Sequence, residues 1–329
     1  MNELLNHNIE SDIEFKFSEQ LLPISIDYVE NEPNKLELSN GSIINSPCLN
    51  CSDKPCMRFN TTTKSNVIDA VFFPDVCPTD AMFLDEKEQV SIDEELCISC
   101  GLCAYRCNTG AIYVSFNKMK VHRDQKMLTE GKLVKTTVST KNRLFKNIDE
   151  KTLQLRQSIR ENKKSNYLLN NLIKSYFMSL GFKVIKPRAG DVNLRMDLIV
   201  ENNDTLFLVE VDDLGSPDTI RDIIDDIAIF SDKYERNLST LAGACCLLEF
   251  PNKRSEFYEL ISDVKKVLDI NIYSLSLGVM LSILNDNNTL DITKFFINEK
   301  QTSCRTALKN TLNRICEFPL HSNSIEAAK

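Results

Sequence analysis

Eight of the twelve cysteines fall between Cys48 and Cys107, and their spacing is the strongest chemical signal in the 329-residue chain. The run Cys97-Ile-Ser-Cys100-Gly-Leu-Cys103-Ala-Tyr-Arg-Cys107 is C-x2-C-x2-C-x3-C. Three cysteines two residues apart can wrap one face of an inorganic cubane, and a fourth thiolate from elsewhere in the chain completes its ligation. An earlier set, Cys48, Cys51 and Cys56, has spacings of two and four, and Cys77 follows after 20 further residues. Two other chemistries use the same residues. Zinc takes four thiolates per ion, though it favours pairs of ligands from separate knuckles. Disulfides form in oxidising compartments. Cys245 and Cys246 lie in an apolar stretch, where cysteine packs as a small hydrophobe. Cys304 and Cys316 carry no pattern.

A second constellation is made of carboxylates. Asp197 stands in Arg-Met-Asp-Leu-Ile-Val, and Glu210 and Asp212 end Leu-Phe-Leu-Val-Glu-Val-Asp. If these segments are adjacent strands joined by a short turn, Asp197 and Glu210 lie side by side. Two carboxylates at a strand end form a hard-oxygen site for Mg2+ or Mn2+, and such an ion activates water and polarises a phosphodiester. The competing reading is a set of solvated strand-end residues. Glu161 is a further candidate for the same site.

Composition narrows the alternatives. His7, His122 and His321 are the three histidines, and none has a catalytic setting. Nine glycines leave no extended phosphate-cradling loop. No apolar run reaches the roughly 18 residues of a membrane span, and the N-terminus lacks a secretory pattern, so a cytoplasmic location is expected. Charge is unevenly spread. Residues 1–116 carry 7 Lys+Arg against 19 Asp+Glu, a net −12, whereas residues 117–164 carry 14 against 5, a net +9. A basic stretch of this kind either neutralises phosphates of DNA or RNA or is a solvated linker. It could equally dock on the acidic module.

The elements that must position these groups follow from periodicity. Residues 1–45 read as short strands, including a turn at Asn40-Gly41. Residues 46–116 form the cysteine module, with a hairpin of Met82–Leu84 and Val90–Ile92 and a closing strand near 111–116. Residues 117–157 read as a basic linker. From 158 the order becomes helix, three strands, helix, strand, helix, strand to about 275, with a helical extension over 276–329. That order predicts an α/β domain whose first three strands meander.

The cysteine module resembles bacterial two-cluster ferredoxins. CPTDAM at 77–82 and CNTGAI at 107–112 match the family's CPTGAI, and SIDEELCISCGLC at 91–103 is close to its second half. The resemblance implies an α+β ferredoxin-like fold with two [4Fe–4S] clusters and crossed ligation. Cluster one would use Cys48, Cys51, Cys56 and Cys107, and cluster two Cys97, Cys100, Cys103 and Cys77. The four-residue spacing, the 20-residue insertion and Asn108 in place of proline depart from the family pattern.

The later segment resembles the PD-(D/E)XK superfamily, the restriction-endonuclease-like fold with a mixed sheet, and within it the Mrr-type branch. On that pattern Asp197 and Glu210 are metal ligands and Asp212 occupies the position of the catalytic lysine. Aspartate cannot supply that positive charge, which leaves Arg221 or Lys233 as substitutes, or an inactive site. Two readings of function result. In the first, a nucleic-acid-processing or defence protein hydrolyses phosphodiesters with a metal ion, and its clusters are structural or redox-active. In the alternative, a ferredoxin-type protein passes electrons to a redox partner, and its α/β domain is a docking module.

Overall fold

The computed structural model describes residues 36–37, 43–44, 54–59, 74–107, 111–115, 118–121, 144–145, 147–187, 190, 194–202, 205–252, 254–286, 288–297 and 304–312. They divide into two compact units. One comprises the described residues up to 147 together with 285 and 286, and the other comprises 148–284 and 288–312.

In the first unit, β1 (Leu36–Glu37) and β2 (Ile43–Ile44) pair antiparallel, whereas the turn expected at Asn40-Gly41 lies outside the described residues. The strands expected before residue 36 lie outside the described residues. A hairpin joins β3 (Met82–Leu84) to β4 (Val90–Ile92), with Met82 opposite Ile92 and Leu84 opposite Val90. The Asp85 carboxylate builds its turn by accepting the Lys87 and Gln89 amides, both at 2.9 Å. A single helical turn, α1 (Leu102–Tyr105), carries Cys103. Gly101 opens it at φ +85°, and a Cβ there would sit 2.8 Å from the Phe145 ring. Both conditions call for glycine. β5 (Ile112–Ser115) then pairs with β6 (Lys118–Val121).

The second unit is built on a five-stranded sheet of β7 (Lys183–Ile185), β8 (Leu198–Asn202), β9 (Thr205–Leu214), β10 (Leu241–Glu249) and β11 (Ile272–Ser276). Their spatial order is β11-β10-β9-β8-β7. β8 runs antiparallel to its neighbours β7 and β9, and β9, β10 and β11 run parallel, so the sheet is mixed. The parallel pairs need crossovers. These are α4 (Pro217–Lys233) and α5 (Glu256–Leu268). Ser216 and Thr219 cap α4 reciprocally, with Pro217 in its first turn, where no amide hydrogen is required. α4 lies so close to the sheet that a Cβ on Gly243 would collide with Ile223. α3 (Ser165–Ser179) buries Leu168, Leu172, Tyr176 and Phe177. α6 (Leu277–Asn285) and α7 (Cys304–Leu312) follow β11.

The linker expected over 117–157 needs correction at both ends. Lys118–Val121 is strand β6, and Ile148–Glu161 is a helix, α2. Ile148, Leu155 and Ile159 are buried at helical spacing, but the lysines, arginines and glutamines between them mask the stripe in a hydropathy reading. Two of its cations are themselves buried. Arg156 pairs with Glu249 at the end of β10, and burial lowers its pKa to about 10. Lys151 is likewise buried. The basic residues of α2 thus belong partly to the packing of this unit.

Candidate functional site

Four cysteines surround one cavity. Cys77, Cys97, Cys100 and Cys103 line it, with Thr79, Ala81, Met82, Ile92, Ile98, Ser99, Leu102 and Met119 supplying the remaining wall. The β3–β4 hairpin thus closes one side and α1 the other. Cys77 reaches the cavity because the turn after it is fastened to its own sulfur: the Ala81 amide donates to Cys77 Sγ at 3.3 Å. The Ser99 amide does the same for Cys97 Sγ at 3.4 Å, helped by Ser99 at φ +55°. Burial drives the Cys103 thiol well above its usual pKa, and the neighbouring sulfurs of Cys100, Cys77 and Cys97 push in the same direction. A cavity crowded with thiols cannot ionise them without cationic compensation, so loading such a site with iron releases protons. The donor set fits a cubane: four sulfurs, an apolar wall, and amide hydrogens aimed at sulfur. Among the described residues, no three thiol, imidazole or carboxylate groups converge as closely as a lone metal ion requires.

The other cysteine set is partly described. Cys56 and Cys107 are both buried, whereas Cys48 and Cys51 lie outside the described residues. The segment around Cys56 is tied to the residue before Cys107. Arg106 Nε donates to the Pro55 carbonyl at 2.7 Å, and its guanidinium stacks 4.4 Å from the Phe59 ring centroid. Cys56 is also close enough to add to the upward pressure on Cys103.

Residues 90–113 match the 4Fe-4S binding domain family. The chain also aligns with several iron–sulfur proteins. A ferredoxin of unassigned role from Methanocaldococcus jannaschii is 31% identical over 67 residues, covering 20% of this chain and 32% of that protein. The formate dehydrogenase iron–sulfur subunit of Wolinella succinogenes is 34% identical over 64 residues, covering 20% and 24%. The polyferredoxin-like subunit of an aliphatic sulfonate oxidoreductase from Pyrococcus furiosus is 33% identical over 72 residues, covering 22% and 32%. The chain spans a third or less of the length of these relatives. Among solved structures, the restriction endonuclease FokI bound to DNA aligns with a TM-score of 0.34 at 12% identity, over 62% of this chain and 41% of that one.

The α/β unit also brings carboxylates together. Leu198 pairs with Val209, so Asp197, one residue before β8, stands beside Glu210 of β9. Asp197 Oδ2 accepts the Val211 amide at 2.9 Å, and its Oδ1 accepts from Asn170 of α3. Burial raises the Asp197 pKa against these hydrogen bonds and against the nearby Lys186 charge. Burial, the Asp197 charge and a hydrogen bond with Asp226 push Glu210 up to about 9. Glu210 is therefore protonated at neutral pH, and Asp226 is its partner, raised mainly by burial. Arg195 Nε lies 3.7 Å from Asp226 Oδ1.

Sequence reasoning missed Asp226, although a signal was present. Asp226 sits between Ile223 and Ile227 on the buried stripe of α4, where a carboxylate is out of place unless it has a partner. Lys186, just beyond β7, was missed as well. Its ammonium reaches Asn171 Oδ1 at 3.1 Å and stands 4.9 Å from the Tyr167 ring centroid. The expected substitutes for the missing lysine are Arg221 and Lys233, both on α4. Arg221 pairs with Asp218 at 2.5 Å, and Lys233 is exposed at the end of α4. Asp212 accepts the Thr219 hydroxyl at 2.9 Å, tying β9 to the cap of α4. Glu161 is exposed and accepts from Gln157 at 2.8 Å. Of the basic segment, Lys118 and Lys120 both bind Glu94, holding its carboxyl below the usual range. Arg123 to Arg143 lie outside the described residues. Among the described residues no helix is long and apolar enough to cross a membrane.

Proposed function

We propose that this chain is a ferredoxin-type electron carrier, with one [4Fe–4S] cluster held by Cys77, Cys97, Cys100 and Cys103 and a second by Cys48, Cys51, Cys56 and Cys107. The observation that carries this reading is the cavity in which Cys77 joins the three closely spaced cysteines from the other half of the module. A bound cluster supplies reversible one-electron chemistry. The chain's own residues do the rest. Met82, Ile92, Leu102 and Met119 keep water from the sulfurs, and the Ala81 and Ser99 amides set the electron density on Cys77 and Cys97. Hydrogen bonds to sulfur and restricted solvent are the protein's means of setting a potential. Redox titration of anaerobically purified full-length protein, followed by visible absorption and EPR, tests the proposal. Reversible bleaching at about eight irons per chain supports it, and absence of any reducible chromophore refutes it.

A second reading has its own observation. Asp197, Glu210 and Asp226 are carboxyl groups at the join of β8, β9 and α4, and one of them keeps a proton at neutral pH. Asp197 and Glu210 would hold Mg2+ or Mn2+, which supplies activation of water toward a phosphodiester. Lys186 provides positive charge beside Asp197. DNA or RNA would approach through the basic 117–164 segment. Cation-dependent cleavage of DNA that disappears in Asp197→Ala and Glu210→Ala supports this reading, and activity unchanged in both removes it.

A further inference from the structure

The described large apolar side chains left exposed in the first unit are Phe83, Leu84 and Leu96, at 47%, 42% and 51% exposure. Each is one or two residues from the wall of the cysteine cavity. Phe83 and Leu84 follow Met82, and Leu96 precedes Cys97. The strand that presents Phe83 is fixed by its pairing with β4, where Phe83 stands opposite Ser91. Leu96 is held outward by a turn in which Asp93 Oδ1 accepts the amides of Glu95 and Leu96, at 2.8 and 3.2 Å. Apolar side chains fixed in solvent carry a cost that association removes.

The rim is predominantly acidic. Asp80 to Glu95 contains seven carboxylates and one lysine, and Asp80, Glu86, Glu88, Glu94 and Glu95 are exposed. Lys118 and Lys120 together neutralise Glu94 and leave the others in place. A nucleic acid or an anionic surface is repelled by such a rim. A protein whose basic residues encircle an apolar spot matches it in both respects.

We propose that the β3–β4 hairpin and the 93–96 turn form the docking surface for a basic electron-transfer protein, placed so that its redox centre faces the Cys77–Cys97 side of the cluster cavity. The proposal rests on the electron-carrier reading. With a cluster bound, the transfer would pass one electron to the partner's oxidised centre, with no bond made or broken.

A lysine-rich c-type cytochrome serves as the probe, titrated calorimetrically against the cluster-loaded full-length chain at low ionic strength. Binding should weaken about tenfold on raising salt to physiological strength or above, because the contact charges are exposed. E86K/E88K/E95K should weaken it about tenfold or more, whereas E256K/E259K/D263K on α5, an equal change of charge, should leave it within about twofold. F83S/L96S should weaken binding by about tenfold at every salt concentration. The stopped-flow rate of ferric haem reduction should fall in the same variants, while the rate with ferricyanide, a small anionic oxidant, should not. Equal weakening by the two charge reversals, or parental binding in F83S/L96S, overturns the docking surface. Hairpin-dependent binding without haem reduction would leave the surface standing and refute the electron-carrier reading instead.

Discussion

Arg106 donates its Nε–H to the Pro55 carbonyl at 2.7 Å, joining two segments 51 residues apart in sequence. Each partner is next to a cysteine, Cys107 and Cys56 respectively. The bond therefore acts as a clamp between the two cysteine halves, and stacking of the guanidinium on Phe59 strengthens it.

Arg106→Leu should release the Cys56 segment from Cys107. A charged hydrogen bond of this kind contributes about 1–3 kcal/mol. The expected outcome is iron content reduced by about half, with the signal from the Cys77 cavity kept. Iron content equal to the parent's would show that the clamp is not needed for loading.

Glu210→Gln should stabilise the α/β unit in the absence of divalent cations. The folded pKa of Glu210, about 9, lies above the ordinary 4.5. Its favourable contribution is thus complete below about pH 4.5 and is lost as pH rises through 9. Glutamine keeps the shape and the donor toward Asp226 and has nothing to ionise. The variant's advantage in thermal unfolding should grow steadily from pH 5 to pH 9, reaching several kcal/mol. A constant difference across that range would contradict the protonated state of Glu210.

Asp212→Ala separates architecture from metal chemistry. Asp212 accepts the Thr219 hydroxyl, which belongs to the capping box of α4. Its loss should cost about 1 kcal/mol of stability while Mn2+ affinity, measured by calorimetry, stays within about twofold. Asp197→Ala should behave in the opposite way, with a large loss of Mn2+ affinity. A similar loss in both variants would return Asp212 to the metal site.

Much of this architecture could be read from local pattern. The Met82–Leu84 and Val90–Ile92 hairpin, the strand at 241 and the helix from Pro217 announce themselves by apolar alternation, helical spacing and a proline in the first turn. Helix α2 did not, because Arg156 and Lys151 occupy buried positions that a hydropathy pattern counts as solvent. The burial of Arg156 depends on Glu249, 93 residues further along the chain, and no local window contains that partner. The pairing of Asp197 with Glu210 was legible because a short turn separates their strands. Asp226 reaches Glu210 only after the crossover helix folds back over the sheet, so its part in the cluster is set by topology. Lys186 comes from the antiparallel edge in the same way.

The proximity of Cys77 to the 97–103 run is likewise a product of folding, and the cofactor assignment depends on it. The most direct measurement compares the parent with Cys77→Ser, both purified anaerobically, by iron and acid-labile sulfide content and by EPR of the reduced protein. The parent should show signals from [4Fe–4S] clusters, and the serine variant should lose or alter the signal of one cluster while retaining the other. A colourless parent without acid-labile sulfide, or a variant whose spectrum is the same as the parent's, would contradict the account.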